Sequence, residues 1–271
     1  MRCGVCSIAR LENNYIREWV EHYKNLGFIN VILYDNNFNE EDDFRDVIGD
    51  YIDSGYVIYN DARNKVNYQN LAYTEAINKY RNEFDWIAFF DIDEFLIFEK
   101  AKTISEFIES NPKFSNYDII RFPWKVYTDG DIIRVTNGNY SVKRFTKTYK
   151  DNDEFWNSYK TDAFCKSIIR CSNPNITRVS AHGCYQLNIA CGPDGNRCNN
   201  KNCRIGYPFR ESNAWLNHYW TKTLEEYIET KYRRGDPTTD VNKYTNMDFF
   251  FTINKRTKEK VEYLKNKGII V

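Results

Sequence analysis

The stretch Trp86-Ile87-Ala88-Phe89-Phe90-Asp91-Ile92-Asp93-Glu94-Phe95-Leu96 is an apolar run of strand length that ends in carboxylates spaced Asp-x-Asp-Glu. Trp86 to Phe90 shows no polar alternation, the pattern of a strand covered on both faces in an α/β sheet. Ligands in such sheets bind beyond the carboxyl ends of the strands. On a continuing strand, Asp91 and Asp93 fall on the same side. Two oxygen donors on one side suit a hard divalent cation, Mg²⁺ or Mn²⁺, bridged to substrate phosphates. The plainer reading is a helix cap or a solvated turn. Carboxylates buried without a cation or donors are costly, so the apolar residues on both sides favour a metal–diphosphate site.

With 271 residues the chain can bury a substantial core. Its 38 basic and 38 acidic residues cancel, which argues against a global basic field for nucleic acid. Aromatic residues make up 17 %; they could stack on sugar rings, but aromatics more often fill cores and interfaces, so composition alone assigns them no site. No stretch approaches the roughly 20 apolar residues that span a bilayer, and the first residues are too short for a signal peptide. The expectation is a cytoplasmic protein with room for peripheral membrane contact. Of the eight cysteines, Cys184, Cys191, Cys198 and Cys203 cluster in a polar segment whose spacing is wide for zinc, leaving zinc, disulfides and free thiols open. A reducing compartment favours free thiols. Cys3 and Cys6 have the spacing of a redox pair but sit in an apolar strand, where packing explains them. Asn139 and Asn175 head glycosylation sequons that matter only on secretion.

The first third alternates strand and helix. Strands are expected at Cys3–Ile8, Phe28–Tyr34, Tyr56–Tyr59 and Trp86–Phe90, and helices at Asn13–Leu26, Asp43–Ile52 and Asn67–Asn82. The last helix is expected to turn Leu71, Ala72, Ala76, Ile77 and Tyr80 inward. Further strands are expected at Asp118–Tyr127, Tyr140–Phe145, Ala163–Ile169 and Ala214–Trp220, with helices at Ser105–Glu109, Leu224–Arg233 and Lys255–Lys267. Such alternation predicts an α/β sheet with Rossmann-like winding, and the absence of Gly-x-Gly-x-x-Gly speaks against a dinucleotide. No linker or repeat is visible, so one compact domain over 1–271 is expected.

Several spaced fragments carry a resemblance: Cys6-Ser-Ile-Ala-Arg-Leu-Glu12, Tyr15-Ile-Arg-Glu-Trp-Val20, Tyr34-Asp-Asn-Asn37, Gln69, the Trp86–Leu96 stretch, Lys166-Ser-Ile-Ile-Arg170, His182, and Leu216-Asn-His-Tyr-Trp-Thr-Lys-Thr-Leu-Glu-Glu-Tyr227 running on to Gly235. Together they resemble glycosyltransferase family 92 and related bacterial family 2-like glycosyltransferases. The resemblance implies a GT-A type Rossmann-like mixed sheet flanked by helices, with an elaborated C-terminal half. It implies a nucleotide-sugar-binding half at 1–99, an acceptor-side half at 100–235 and a helical tail at 236–271.

It also implies an inverting hexosyltransferase that uses Mn²⁺ or Mg²⁺ and a nucleoside-diphosphate sugar, with UDP favoured. The acceptor would be a glycan, lipid-linked or protein-linked hydroxyl. Carried over by position, Asp91 and Asp93 hold the metal, Asp91 also meeting the donor, and His218 is the third metal ligand, with His182 as its competitor. Arg10 and Glu12 stand where the family has a Lys-Asn-Glu signature, with Leu11 replacing its Asn. Arg10, Glu12, Asp35, Asn36 and Gln69 are candidates for the nucleotide sugar, because Asp and Asn can accept from a base N–H and Arg can meet phosphate. Lys222 and Arg233, with Arg234 beside them, are candidates for the leaving diphosphate, although basic residues late in a helix are favoured by its dipole anyway. Asp131 is the candidate general base, against a solvated turn; Asp129, Asp162 and Glu211 are the other acids considered. Two other classes stand beside this one. A non-catalytic carbohydrate-binding module would use the same aromatics and Asp/Asn loops. A haloacid-dehalogenase-like phosphatase shares the apolar run and Asp-x-Asp but usually places it on the first strand.

Overall fold

In a computed structural model, the described residues are 1–135, 142–148, 164–184, 190–198, 212–235, 245 and 247–270. The chain divides into two compact units, Met1–Lys125 with Thr161–His218, and Val126–Lys160 with Tyr219–Val271.

The first unit is built on β1 (Cys3–Ala9), β2 (Asn30–Asp35), β3 (Val57–Asp61) and β4 (Trp86–Phe89), with α1 (Asn13–Asn25), α2 (Arg45–Asp53) and α3 (Gln69–Tyr80) between them. After β4 come β5 (Glu94–Phe98), α4 (Ile104–Glu109), β6 (Ile119–Val126), β7 (Cys165–Arg170), the short β8 (Val179–Ser180), β9 (Gly183–Cys184) and β10 (Ala190–Cys191), and β11 (Ala214–His218). The main sheet runs β3-β2-β1-β4-β7-β6-β11-β5, with β10 beside β6. Strands β1 to β4 are mutually parallel, whereas β7 enters antiparallel between β4 and β6, and β11 pairs antiparallel with β5. This is the mixed, helix-flanked α/β sheet that the sequence predicts.

Local sequence explains the elements. Tyr15, Ile16, Trp19, Val20 and Tyr23 form the buried stripe of α1, and the left-handed Gly27 (φ 79°) turns the chain into β2. Every residue of β4 is buried, as its unbroken apolar run requires. One face of the sheet packs on α3 through Ala72, Tyr73, Ala76, Ile77 and Tyr80. Leu71 departs from expectation: it is 58 % exposed, because Ala72 and Tyr73 at the start of α3 take the inward positions.

In the second unit, Thr223 caps Leu224–Tyr227 in a reciprocal box with Glu226, and the helix runs on as a π-helical stretch, Ile228–Tyr232. Leu224, Tyr227, Met247, Phe250, Tyr263 and Leu264 make its core. The tail helix is confirmed over Lys258–Asn266, and a helix at Met247–Ile253 precedes it that the aromatic run Phe249–Phe251 did not suggest. Within the segment expected as a strand at Tyr140–Phe145, Val142–Arg144 is a 3-10 turn, and residues 140 and 141 lie outside the described set.

Candidate active site

The carboxyl end of β4 does not continue as a strand. Glu94 folds back so that its Oε2 accepts the Asp91 N–H (3.0 Å), while the Glu94 N–H donates to the Asp91 carbonyl (3.0 Å). This closed turn corrects the expectation that Asp91 and Asp93 follow a strand's alternation. Helix α1 fixes the turn from below. The Trp19 indole N–H donates to the carbonyls of Asp91 (2.9 Å) and Glu94 (3.1 Å), and the Tyr23 hydroxyl donates to the Glu94 carbonyl (3.0 Å).

The carboxylates are engaged by different elements. Asp91 Oδ1 accepts from Gln69 Nε2 (2.9 Å) and the Tyr73 hydroxyl (3.1 Å), both on α3, while Oδ2 accepts from Lys166 Nζ on β7 (2.7 Å). Lys166 also lies 3.9 Å from Glu94. Burial works to raise the Asp91 pKa, but the Lys166 ammonium overrides it and holds the group below the ordinary carboxylate value. Burial likewise works against the Lys166 ammonium, and the neighbouring carboxylates reverse that effect and raise its pKa. Burial lifts Glu94 well above the ordinary range, which favours its neutral form.

Asp93 turns to β11, where its Oδ1 lies 3.5 Å from His218 Nε2, both side chains being buried. Trp124 packs against this imidazole (4.3 Å between ring centres) and against His182 (5.6 Å). His182 Nδ1 meets the Cys165 carbonyl (3.2 Å), and burial followed by the Lys166 charge lowers its pKa to about 4, so the ring is neutral. Among the described residues, no three His, Cys, Asp or Glu side chains already form a cage for a cation. The carboxylate of Asp93 and the imidazole of His218 are nevertheless donor types that suit a divalent ion, and these two residues could contribute to holding one.

The structure therefore brings Gln69, Asp91, Asp93 and His218 together. A second group lies at the ends of β1 and β2. Arg10 makes a paired contact with Glu41 (2.8 and 3.0 Å) and stacks on Phe38 (3.6 Å). The Asp35 carboxyl accepts from the Asn37 N–H (2.9 Å) and the Tyr59 hydroxyl (2.8 Å), and burial raises its pKa. Asn36 Nδ2 donates to the carbonyls of Ala62 (2.8 Å) and Lys65 (2.7 Å). The buried Glu12 starts α1, its carbonyl accepting from Tyr15 and Ile16. Arg10 with Glu41 ties the loop after β1 to the loop after β2, and Asn36 ties the latter to the loop after β3.

In the second unit, the 40 % exposed side chain of Asp131 pairs with Lys147 (3.0 Å), whose hydrogen bond lowers its pKa. Asp129 pairs with the buried Lys260 (2.5 Å). Lys222 is buried with a left-handed backbone (φ 54°), and Arg233 closes the π-helical stretch. Asp162, Cys203 and Glu211 lie outside the described residues. Cys184, Cys191 and Cys198 are buried thiols, as are Cys3 and Cys6.

Sequence reasoning gave no role to Lys166, Tyr73, Trp19 or Tyr23. Lys166 carries a signal in retrospect: it is the one charged residue in the otherwise uncharged stretch Phe164–Ile169, and a lysine buried there requires a carboxylate partner. The indole and phenol of α1 carry none, because a buried aromatic stripe looks the same with or without bonds at its polar tips.

The glycosyltransferase family 92 model matches residues 4–247, and the chain belongs to that family. A family 92 protein of Ricinus communis is 25 % identical over 112 residues, 41 % of this chain and 20 % of the relative. A galactan β-1,4-galactosyltransferase of Arabidopsis thaliana is 29 % identical over 129 residues, 45 % of this chain and 25 % of the relative. The chain thus spans about a quarter or less of the length of these two relatives. Among solved structures, S. aureus TarS with UDP-GlcNAc is similar at 14 % identity and a TM-score of 0.38, covering 64 % of this chain and 46 % of that one. Among the described residues, no helix is long and apolar enough to cross a membrane.

Proposed function

We propose that this chain is a metal-dependent, inverting glycosyltransferase that moves a hexosyl group from a UDP-sugar to a hydroxyl of a glycan or glycoconjugate. The observation that carries the reading is the closed Asp91–Glu94 turn at the end of β4, which sets Asp93 against His218 in a chain of family 92. The galactosyltransferase among its relatives supports a hexose, with galactose as the first candidate.

Asp93 and His218 would hold Mn²⁺ or Mg²⁺, which when bound neutralises the charge on a leaving diphosphate. Gln69 and Asp91 lie beside that pair and serve the donor sugar. Arg10, Glu12, Asp35 and Asn36 shape the ends of β1 and β2, where the nucleoside is proposed to rest. Lys222 and Arg233 are assigned to the diphosphate and Asp131 to the base on sequence grounds. The acceptor oxygen bonds to the anomeric carbon as the bond to the diphosphate oxygen breaks, and the acceptor proton passes to the base carboxylate.

The test is release of nucleoside diphosphate from a panel of sugar nucleotides, with Mn²⁺ and with a chelator, beside Asp93→Asn. Release from a UDP-hexose that disappears with chelator and with the variant is expected. Equal release in all three conditions would refute the metal role, and glycan binding without any donor consumption would point to the carbohydrate-binding module instead. Asp131→Asn is expected to abolish transfer while UDP binding persists; normal turnover removes the assignment.

A further inference from the structure

We infer that Lys166 is a built-in counter-cation that holds Asp91 out of the metal's coordination and reserves that role for Asp93 and His218. The inference rests on the metal-dependent reading above. Lys166 is the second residue of β7, 1 % exposed, with Cys165, Ile168 and Ile169 buried in the same strand. An ammonium so placed is tolerated only against carboxylate, and Asp91 supplies it at 2.7 Å.

The partner is equally committed. A carboxylate oxygen offers two lone pairs, and Asp91 Oδ1 already accepts two donors, from Gln69 and Tyr73. Asp91 Oδ2 faces the ammonium, which repels a dication brought to the same oxygen. Movement cannot free it readily, because Glu94 holds the Asp91 N–H and Trp19 holds its carbonyl. Asp93, two residues on, is turned to a different strand and to an imidazole. Lys166 is thus a positioning residue: it keeps Asp91 fixed and sets how much negative charge the cation meets.

Charge arithmetic separates this from the alternative in which Asp91 is itself a ligand. Removing a unit charge a few ångströms from a dication changes its affinity by at least about fivefold at an effective dielectric near 20. Lys166→Met should therefore bind Mn²⁺ at least about fivefold tighter. Asp91→Asn, which leaves the ammonium uncompensated, should bind it at least about fivefold more weakly. The double variant Asp91→Asn/Lys166→Met restores neutrality and should return to within about threefold of the unsubstituted protein, whereas Asp93→Asn/Lys166→Met should stay weak.

The measurement is the Mn²⁺ dissociation constant from the electron paramagnetic resonance signal of free Mn²⁺, taken with Mn²⁺ alone and with UDP, with a thermal melt for each variant. Recovery in the double variant supports the inference. A double variant as weak as Asp91→Asn, with normal binding by the unsubstituted protein, overturns it and makes Asp91 a ligand. Should Lys166→Met alone fail to fold, the double variant, whose pocket stays neutral, carries the comparison. No Mn²⁺ binding by the unsubstituted protein, alone or with UDP, overturns the metal-dependent reading and this inference with it.

Discussion

Leu11 offers a quantitative test of the loop that joins β1 to α1. Its backbone is left-handed (φ 59°), and its N–H donates to Asn37 Oδ1 at 2.8 Å, so the conformation is pinned by the neighbouring loop. An ordinary L-residue with a Cβ costs about 1–2 kcal/mol in this region, and Asn escapes most of that cost. Leu11 is only partly buried, and shortening it to Asn returns less than about 1 kcal/mol of apolar burial. Leu11→Asn should therefore stabilise the protein by about 0.5–1 kcal/mol. That corresponds to a rise of about 1–4 °C in melting temperature for a chain of this size. Leu11→Ala keeps the strained Cβ and loses the burial, so it should destabilise. Urea and thermal unfolding of the three proteins, followed by circular dichroism, give the order Asn, Leu, Ala. An Asn variant no more stable than the Ala variant would refute the strain argument.

Other changes follow from the same structure. A Cβ added at Gly4 would lie 2.9 Å from the buried Phe84 ring, so Gly4→Ala should cost about 1–3 kcal/mol by urea titration; an unchanged midpoint would show that the ring moves aside freely. Trp19→Phe removes the donor to the carbonyls of Asp91 and Glu94, which should cost about 1–3 kcal/mol and at least about tenfold in donor hydrolysis, read by melting and by diphosphate release. Burial pushes the Cys3 and Cys171 thiols up to about 12 and Cys198 up to about 11, above the ordinary thiol range. Thiolate then forms more readily in the unfolded chain, so stability is full below about pH 8.5 and falls as pH rises toward those values, by up to about 1.4 kcal/mol per pH unit for each thiol. Urea midpoints equal at pH 7.5 and pH 10 would contradict this.

The sequence carried the first third of the fold because its signals there are local. The stripe Ile16, Trp19, Val20 and Tyr23 and the unbroken run of β4 declare period and burial without help from distant residues. What escaped depends on long-range pairing. That β7 runs antiparallel between β4 and β6, bringing Lys166 to Asp91, is decided by residues about 75 positions apart in the chain. The Asp91–Glu94 turn is decided by a side chain bonding its own backbone, which alternation cannot foresee. Leu71 misled because an apolar residue at helical spacing reads as inward, while the true stripe of α3 runs from Gln69 to Ala72 and Tyr73 and passes Leu71 by. At the ends of β1 and β2, residue type pointed to nucleotide chemistry, whereas the structure shows Asp35 and Asn36 also serving as loop ties.

The antiparallel seam between β5 and β11 places His218 opposite Glu94 at its end. A slip of one residue would turn every side chain of β11 to the other face and carry the imidazole away from Asp93. The Asp93–His218 pair thus works as a latch that engages only in the correct alignment. On the proposed metal role, an ion at that pair would fasten two segments separated by more than a hundred residues and resist their separation.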